Sequence, residues 1–482
     1  MVLMRMSARD VCLATGAALL GGDGAAEVTG VTIDSREVRP HAAFVAFAGE
    51  RTDGNRFARA ALEAGASLVV LTAEPDPADL ELAGRLGSCV ARAAGDDGTA
   101  FMLALAGAWR ERNPQWLVVG VTGSVGKTTT KEMLACALAT RYRVHATKGN
   151  LNNLLGVPLT LLSAPDDAEL LVVEMGMNHA GELARLSAAA RPNVAVVTNV
   201  GTSHIGNLGS RENIARAKAE VVSGMVAAEG RERPTLVLSS GDDFTDFIAE
   251  RFCAPAGVGV LRVGAAPSAD VRATGVTLGD DGCAEADLSF PDGARAHARL
   301  RVPGRHMVAD LLDAMAVAWE LGVDVSRAAG AVGEMRPAHM RLEVVERPHR
   351  PRVIDDSYNA SPSSVAAALD VLCSMGCAGR RVAVLGEVGE LGPESARLHG
   401  YIGAYAAAKP IDLLVVIGGE GAAQIAEAAR TMGFSEDALE SFDSVDSALR
   451  TMGPVLAEDD LVLVKASRSA GLDQFAKGVY DR

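Results

Sequence analysis

Nowhere does this chain reach the roughly 18 consecutive apolar residues that a membrane-spanning helix needs. It also lacks a long basic run. Its 46 Lys and Arg stand against 61 Asp and Glu, a formal net charge of −15. That balance argues against nonspecific binding to nucleic acid or to an anionic membrane. Any positive charge that holds an anionic substrate must therefore be local. Cysteine is sparse: seven residues, scattered from Cys12 to Cys377. An odd, dispersed set fits the reduced thiols of a cytosol, so a cytoplasmic location is expected. Cys373 and Cys377 have no matching second pair, which argues against zinc. Arg5 and Arg9 precede an apolar run over 11–20. Thr15 and Gly16 interrupt it and no clean small-x-small cleavage site follows, so a short amphipathic helix is expected there, not a signal peptide.

At ~150 residues per domain, the length implies about three domains. The composition shifts place them at 1–97, 98–337 and 338–482, all of α/β class. The first reads as a small α/β unit, with strands over 28–33, 43–47 and 67–71 and a helix over 57–64. Its polar loops, Asp34-Ser35-Arg36 and 49–54, follow strands, where either ligand contacts or plain turn chemistry is found. The stretch 74–79 reads as an exposed connection. The second unit is a parallel-sheet nucleotide domain, with a small β-rich insertion over 255–303. The third alternates strands at 352–355, 382–385, 413–417 and 461–465 with helices, a Rossmann-like pattern. It has no G-x-G-x-x-G after its first strand, so a dinucleotide site is not supported.

The middle unit carries the clearest chemistry. An apolar strand over 117–121 runs into Gly123-Ser124-Val125-Gly126-Lys127-Thr128-Thr129 and then a helix. Backbone N–H groups at a helix N-terminus, bent by glycines, cradle phosphate. Lys127 supplies a point charge for the outer phosphates, and the Thr128 hydroxyl is a Mg²⁺ ligand of the right hardness. The loop is short of the standard form, because Val121 stands where its first glycine would be.

Acids then recur at strand ends, where α/β sheets bind ligands. Glu174 closes the apolar strand 170–175, where a buried carboxylate is costly unless paired or metal-bound. We read it as organising Mg²⁺ or water. His204 follows the strand 194–198, and the residues alone allow a capped loop histidine or a metal contact. The Asn-rich loop that holds Asn152 and Asn153 reads equally as a turn or a binding loop. A helix is expected over 211–225, with Lys218 on a solvated face by default. Another helix is expected over 308–321. In the third unit the first strand ends in Asp355-Asp356-Ser357-Tyr358-Asn359, again poor for folding and suited to a ligand. Arg341, just past the junction, is a surface arginine or one that swings toward the nucleotide.

Taken together, the motifs resemble the Mur ligase family over essentially the whole chain. The carrying segments are Thr32-Ile33-Asp34-Ser35-Arg36, then Thr122-Gly123-Ser124-Val125-Gly126-Lys127-Thr128-Thr129-Thr130-Lys131-Glu132-Met133. With them stand Gly149-Asn150-Leu151-Asn152-Asn153, Glu174-Met175-Gly176-Met177, Asn199-Val200-Gly201-Thr202-Ser203-His204, Asp355-Asp356-Ser357-Tyr358-Asn359-Ala360-Ser361-Pro362 and Leu385-Gly386-Glu387-Val388-Gly389-Glu390-Leu391-Gly392.

The resemblance implies an ATP-dependent amide ligase of peptidoglycan precursor synthesis. Its expected substrates are UDP-N-acetylmuramoyl-tripeptide and D-alanyl-D-alanine, its cofactors ATP and Mg²⁺, and its state a monomer. Asp34, Ser35 and Arg36 would lie near the UDP moiety. Lys127 and Thr128 would meet the ATP phosphates and Mg²⁺. Glu174 and His204 match positions that bind a second Mg²⁺, and Lys218 matches a lysine carried as a carbamate in many members. Arg341 and Asp356 would reach the nucleotide from the third domain. Asn152, Asn153, Tyr358, Asn359, Lys465 and Ser467 would face the substrates, the last two near the dipeptide. Two departures stand out. His306-Met307-Val308-Ala309-Asp310 replaces both asparagines of the usual His-Asn-x-x-Asn at the adenine, and Ala466 stands where glycine is usual. The rival readings are a ligase of the family adding another amino acid, a folylpolyglutamate-type ligase, or a P-loop ATPase used as a switch.

Overall fold

The computed structural model describes residues 4–49 and 52–481. Among the described residues the chain builds three larger sheets, one in each part of the sequence, and a two-stranded ribbon of Met6–Ser7 with Glu27–Val28. Glu50 and Arg51, within the expected polar loop 49–54, lie outside the described residues.

The first sheet runs Ala18–Gly21, Cys89–Arg92, Leu68–Leu71, Ala42–Val45, Gly30–Thr32. It is parallel except for Ala18–Gly21. The apolar run near the N-terminus is not one helix. The helix Ala8–Thr15 stops at Gly16, whose left-handed φ of 70° caps it, and Leu19 and Leu20 continue as strand. Only glycine takes that conformation cheaply, so the helix ends there. The stretch 74–79 is not merely a connection: Asp76 caps a helix, Pro77–Leu86, that begins with proline, a favoured first helical residue.

The central sheet runs Arg295–Pro303, Cys283–Ser289, Val271–Leu278, Gly259–Gly264, Thr235–Ser239, Val194–Val197, Leu117–Thr122, Leu170–Glu174, Val144–Ala146. The β-rich stretch, expected within or after this domain, lies within its sheet. It extends this sheet, with Cys283–Ser289 and Arg295–Pro303 antiparallel at the edge. Its outer strand alternates buried and exposed residues, as a half-solvated strand should,. The inner strands are largely apolar, as strands covered on both faces read,. The helix expected over 211–225 stops at Ala219 and tightens into a 3₁₀ turn, Glu220–Gly224. The later helix spans Met307–Glu320.

The third sheet runs Glu343–Val345, Arg352–Asp355, Leu461–Lys465, Arg381–Gly386, Leu413–Ile417, Leu439–Phe442. Two of these strands, Glu343–Val345 and Leu439–Phe442, were not expected from sequence. Both are edge strands, and the first is antiparallel. Edge strands bury less apolar surface and carry a weaker signal.

Parallel register decides where chemistry gathers. Glu174 pairs with Val121, and Val197 pairs with Thr122. Three strands therefore end level, and the loops after Thr122, Glu174 and Val197 open on one edge.

Candidate active site

The loop Gly123–Gly126 turns on two left-handed glycines, φ 147° and 87°. A Cβ at Gly123 would strike the Thr198 hydroxyl, and one at Gly126 the Asp310 carboxylate. The loop is braced from the next strand end. Ser124 N–H donates to the Asn199 carbonyl at 3.1 Å, and Val125 N–H to Asn199 Oδ1 at 3.1 Å. The Thr198 hydroxyl and Asn199 Nδ2 donate to the Val125 carbonyl at 2.6 and 3.0 Å. The following helix, Lys127–Leu138, has no side-chain cap, which leaves its first N–H groups open toward an anion,.

Lys127 folds back on its own loop. Its Nζ donates to the Gly123 and Ser124 carbonyls at 2.8 and 3.3 Å. Desolvation lowers its pKa, and Arg341 pushes the same way. Glu174 and Glu390 oppose them. Groups from two sheets thus share one electrostatic neighbourhood.

Glu174 is 1% exposed, yet its carboxylate is well served. The Thr128 hydroxyl donates to it at 3.0 Å and Asn152 Nδ2 at 2.8 Å, while its own N–H donates to Thr147 Oγ1 at 3.0 Å. Asn152 therefore orients Glu174. Asn153 instead accepts from the Leu155 and Gly156 N–H groups at 3.1 and 2.9 Å, at the start of the helix Gly156–Leu162.

His204 adopts φ 62°, and its Nδ1 lies 2.6 Å from Glu390 Oε2, a contact reaching across from the third sheet. Glu390, also left-handed, is held below the usual carboxylate range, chiefly by His204. Its carbonyl accepts from Gly206 N–H at 3.1 Å. The contact of Gly206 with Gly392 is so close that a Cβ on either would clash.

The solvated-face reading of Lys218 does not hold, because the side chain is 1% exposed. Helix-face position was ambiguous from sequence, since Arg216 and Glu220 flank it. Desolvation, then the Lys127 charge, drives its pKa far below the ordinary lysine value. Among the described residues no carboxylate pairs with it.

In the first sheet, Asp34 grips Arg36 through both oxygens, at 2.9 and 2.6 Å, and accepts from its N–H. The Arg36 hydrogen bonds pull the Asp34 pKa down to about 2. The Arg36 side chain remains largely exposed. Ser35 opens the 3₁₀ turn Ser35–Glu37 between them.

Around the third sheet, Arg341 stacks 4.2 Å over the Tyr358 ring. Asp356 and Asn359 both engage Lys465 Nζ, at 2.6 Å through Oδ2 and 3.0 Å through the carbonyl. Ser467 is buried and its hydroxyl meets Ser469 at 3.2 Å. Asp355 hydrogen-bonds Ser357 and is an internal cap rather than an open ligand. Two residues escaped the sequence reading as site members. Asp310 sits behind the phosphate loop, and Glu390 lay inside a quoted motif without a role. Two surface clefts, of about 580 and 470 Å³, are lined by residues such as Arg301 and Glu334, or Arg233 and Trp319, and lie outside this arrangement.

Family models match along the chain: a Mur ligase family catalytic domain at 27–94, a Mur ligase middle domain at 121–318, and a Mur ligase glutamate ligase domain at 340–468. The UDP-N-acetylmuramoyl-tripeptide–D-alanyl-D-alanine ligase of Bacillus subtilis is 32% identical, over 94% of this chain and 93% of its own. A crystal structure of MurF from Acinetobacter baumannii matches with a TM-score of 0.86 at 30% identity, covering all of both chains. The MurF ligase of Thermotoga maritima in complex with ADP matches with a TM-score of 0.78 at 26% identity, over 94% of this chain and 97% of its own.

Proposed function

The chain belongs to the Mur ligase family, and from that premise we propose how its site works. It is a ligase of peptidoglycan synthesis that uses ATP to join D-alanyl-D-alanine to UDP-N-acetylmuramoyl-tripeptide. The observation that carries the reading is convergence. The glycine loop, Thr128, Glu174 and His204 from the central sheet meet Arg341 and Glu390 from the third around Lys127. An ATPase switch needs one such set; a ligase must bring a nucleotide and two substrates together.

A carboxylate and an amine do not condense unaided in water. The terminal carboxylate of the tripeptide attacks the γ-phosphorus of ATP, forming an acyl phosphate and releasing ADP. The free amine of D-alanyl-D-alanine then attacks the acyl carbon, the C–O bond to phosphate breaks, and the amine gives up a proton. Such transfers are promoted mostly by positioning and charge. Lys127 and the loop N–H groups hold the phosphates, and Arg341 adds charge from the third domain. Asp356 lies on that same side of the nucleotide. The packing of the third domain over the loop keeps water from the acyl phosphate.

The oxygen donors Thr128 and Glu174, 3.0 Å apart and buried, fit a hard divalent cation. His204, and Lys218 if carbamoylated, would complete the set. Mg²⁺ held there would neutralise charge on the transferring phosphoryl group. Asp34, Ser35 and Arg36 would meet the UDP end, with Asn152, Tyr358, Asn359 and Ser467 lining the path of the peptide. We place the domains at 1–97, 98–337 and 338–482, and the enzyme in the cytoplasm as a monomer.

The test is ADP release from the full chain with UDP-N-acetylmuramoyl-tripeptide, with and without D-alanyl-D-alanine. Strict dependence on both substrates is expected. Release independent of both would overturn the ligase reading in favour of a switch. Dependence on another amino acid with a shorter precursor would move the chain to a different member.

A further inference from the structure

Lys465 ends the strand Leu461–Lys465, on the edge where a substrate would arrive. Its side chain is nevertheless 2% exposed. Nζ donates to Asp356 Oδ2 at 2.6 Å, to the Asn359 carbonyl at 3.0 Å and to the Asp356 carbonyl at 3.4 Å. An ammonium has three donors, and all three are in use. Nothing is left to hold the carboxylate of an incoming dipeptide.

The partners of Lys465 lead elsewhere. The other Asp356 oxygen, Oδ1, accepts from Leu342 N–H at 3.2 Å. Tyr358 N–H donates to the Met340 carbonyl at 3.2 Å. Met340 and Leu342 both have left-handed backbones, φ 60° and 50°. Residues with side chains hold that conformation only where their surroundings impose it. Between them stands Arg341, its guanidinium 4.2 Å above the Tyr358 ring. Arg468, three residues beyond Lys465, lies 5.8 Å from the same ring and donates to the Met340 sulfur at 3.8 Å. The turn that presents Arg341 is thus clamped from two strand ends at once.

We infer that Lys465 is a positioning residue that fixes Arg341 toward the phosphate loop, through Asp356 on the backbone of Leu342 and Tyr358 under the guanidinium. Without Lys465, the nearly enclosed Asp356 carboxylate loses its counterion and turns outward to water. Leu342 N–H then loses its acceptor, the left-handed turn relaxes, and Arg341 leaves its aromatic seat. The residue acts on the phosphoryl step and leaves dipeptide binding alone. This rests on the ligase reading above.

The test is steady-state kinetics of the full chain with all three substrates, for Lys465→Met, Lys465→Arg, Arg341→Ala and the double variant Lys465→Met with Arg341→Ala. Lys465→Met should lower kcat about 10–100-fold, the scale of a misplaced catalytic group. The KM for D-alanyl-D-alanine should stay within about twofold. Lys465→Arg, which keeps the charge, should recover part of kcat. The double variant should lie within about twofold of Arg341→Ala alone, since both changes remove one function. A KM for the dipeptide raised about tenfold with kcat retained would overturn the inference. So would losses that multiply in the double variant. If Lys465→Met does not fold, Tyr358 decides. Tyr358→Leu removes the ring beneath Arg341 and should lower kcat further than Tyr358→Phe, which keeps it. An unchanged Tyr358→Leu overturns the inference. A parent chain that ignores D-alanyl-D-alanine altogether would instead strike the ligase reading.

Discussion

Asp310 Oδ1 accepts a hydrogen bond from the Thr130 hydroxyl at 3.0 Å, tying the helix Met307–Glu320 to the phosphate-loop helix. The same carboxylate lies where a side chain on Gly126 would have to go. One turn further on, Asp313 is also buried, and its Oδ1 has no hydrogen-bond partner. Two acids at i and i+3 inside a protein cannot both ionise cheaply.

The sign of the pH effect follows. Burial raises the Asp310 pKa to about 7. Between its ordinary value of 3.8 and about 7 the folded state then binds a proton that the unfolded state releases. Stability contributed by this group is full below that window and falls as pH rises through it. Three pKa units correspond to about 4 kcal/mol, an upper bound for one buried group. Asp310→Asn keeps an acceptor for Thr130 and removes the charge. It should raise the melting temperature by several degrees at pH 8 and change it little at pH 4, by scanning calorimetry. Equal shifts at both pH values would show that Asp310 is not the titrating group.

Glu174 is the buried acid beside the glycine loop. Its oxygens take Thr128 and Asn152 together, at 3.0 and 2.8 Å. Glu174→Gln keeps the shape but presents an amide N–H₂ to one of two existing donors. A loss of about 10²–10³-fold in kcat is expected, typical of removing one charge-stabilising group. Asn152→Ala should cost less, because it only frees Glu174 to rotate. A Glu174→Gln variant with parental kcat would exclude the carboxylate from catalysis.

Much of this arrangement was visible in the residues. The strand, the glycines and Lys127-Thr128 announced a phosphate loop, and the lone acid in an apolar strand marked Glu174. The burial of Lys218 was not visible, because a lysine between Arg216 and Glu220 has the spacing of a solvated face. The use of Lys465 was hidden too: its partners, Asp356 and Asn359, are more than 100 positions away, and no local pattern encodes such a pairing. Likewise the residues of 255–303 read as a β-rich insertion without showing which sheet it joins. The parallel pairing of Gly259–Gly264 with Thr235–Ser239, and of Val263 with Val271, shows that it extends the central sheet.

His204 and Glu390 join the central and third sheets at 2.6 Å. The pair is partly exposed, so its direct worth is under about 1 kcal/mol. Its effect should be local rather than global. Glu390→Ala should raise amide exchange about 3–10-fold near Gly206 and Gly392, where the backbones touch, and leave the first sheet unchanged. Hydrogen exchange read by mass spectrometry resolves the two regions. Unchanged protection at Gly206 would mean that the glycine contact alone holds the domains.

Lys218 carries the last prediction. It is 1% exposed, and desolvation, then the Lys127 charge, lowers its pKa well below the ordinary lysine value. The folded state then binds fewer protons than the unfolded one below the ordinary lysine value of 10.5. This group therefore costs stability increasingly as pH falls from there toward its folded pKa. A neutral buried amine can add CO₂, and the resulting carbamate is an anion that Lys127 attracts. Lys218→Met, close in shape and uncharged, should fold and melt higher than the unmodified chain at neutral pH, yet lose at least about 10²-fold in kcat. Parental activity should drop in CO₂-depleted buffer and return on adding bicarbonate, whereas Lys218→Met should not respond. Full activity of the parent without CO₂ would show that the free amine, not a carbamate, serves the site.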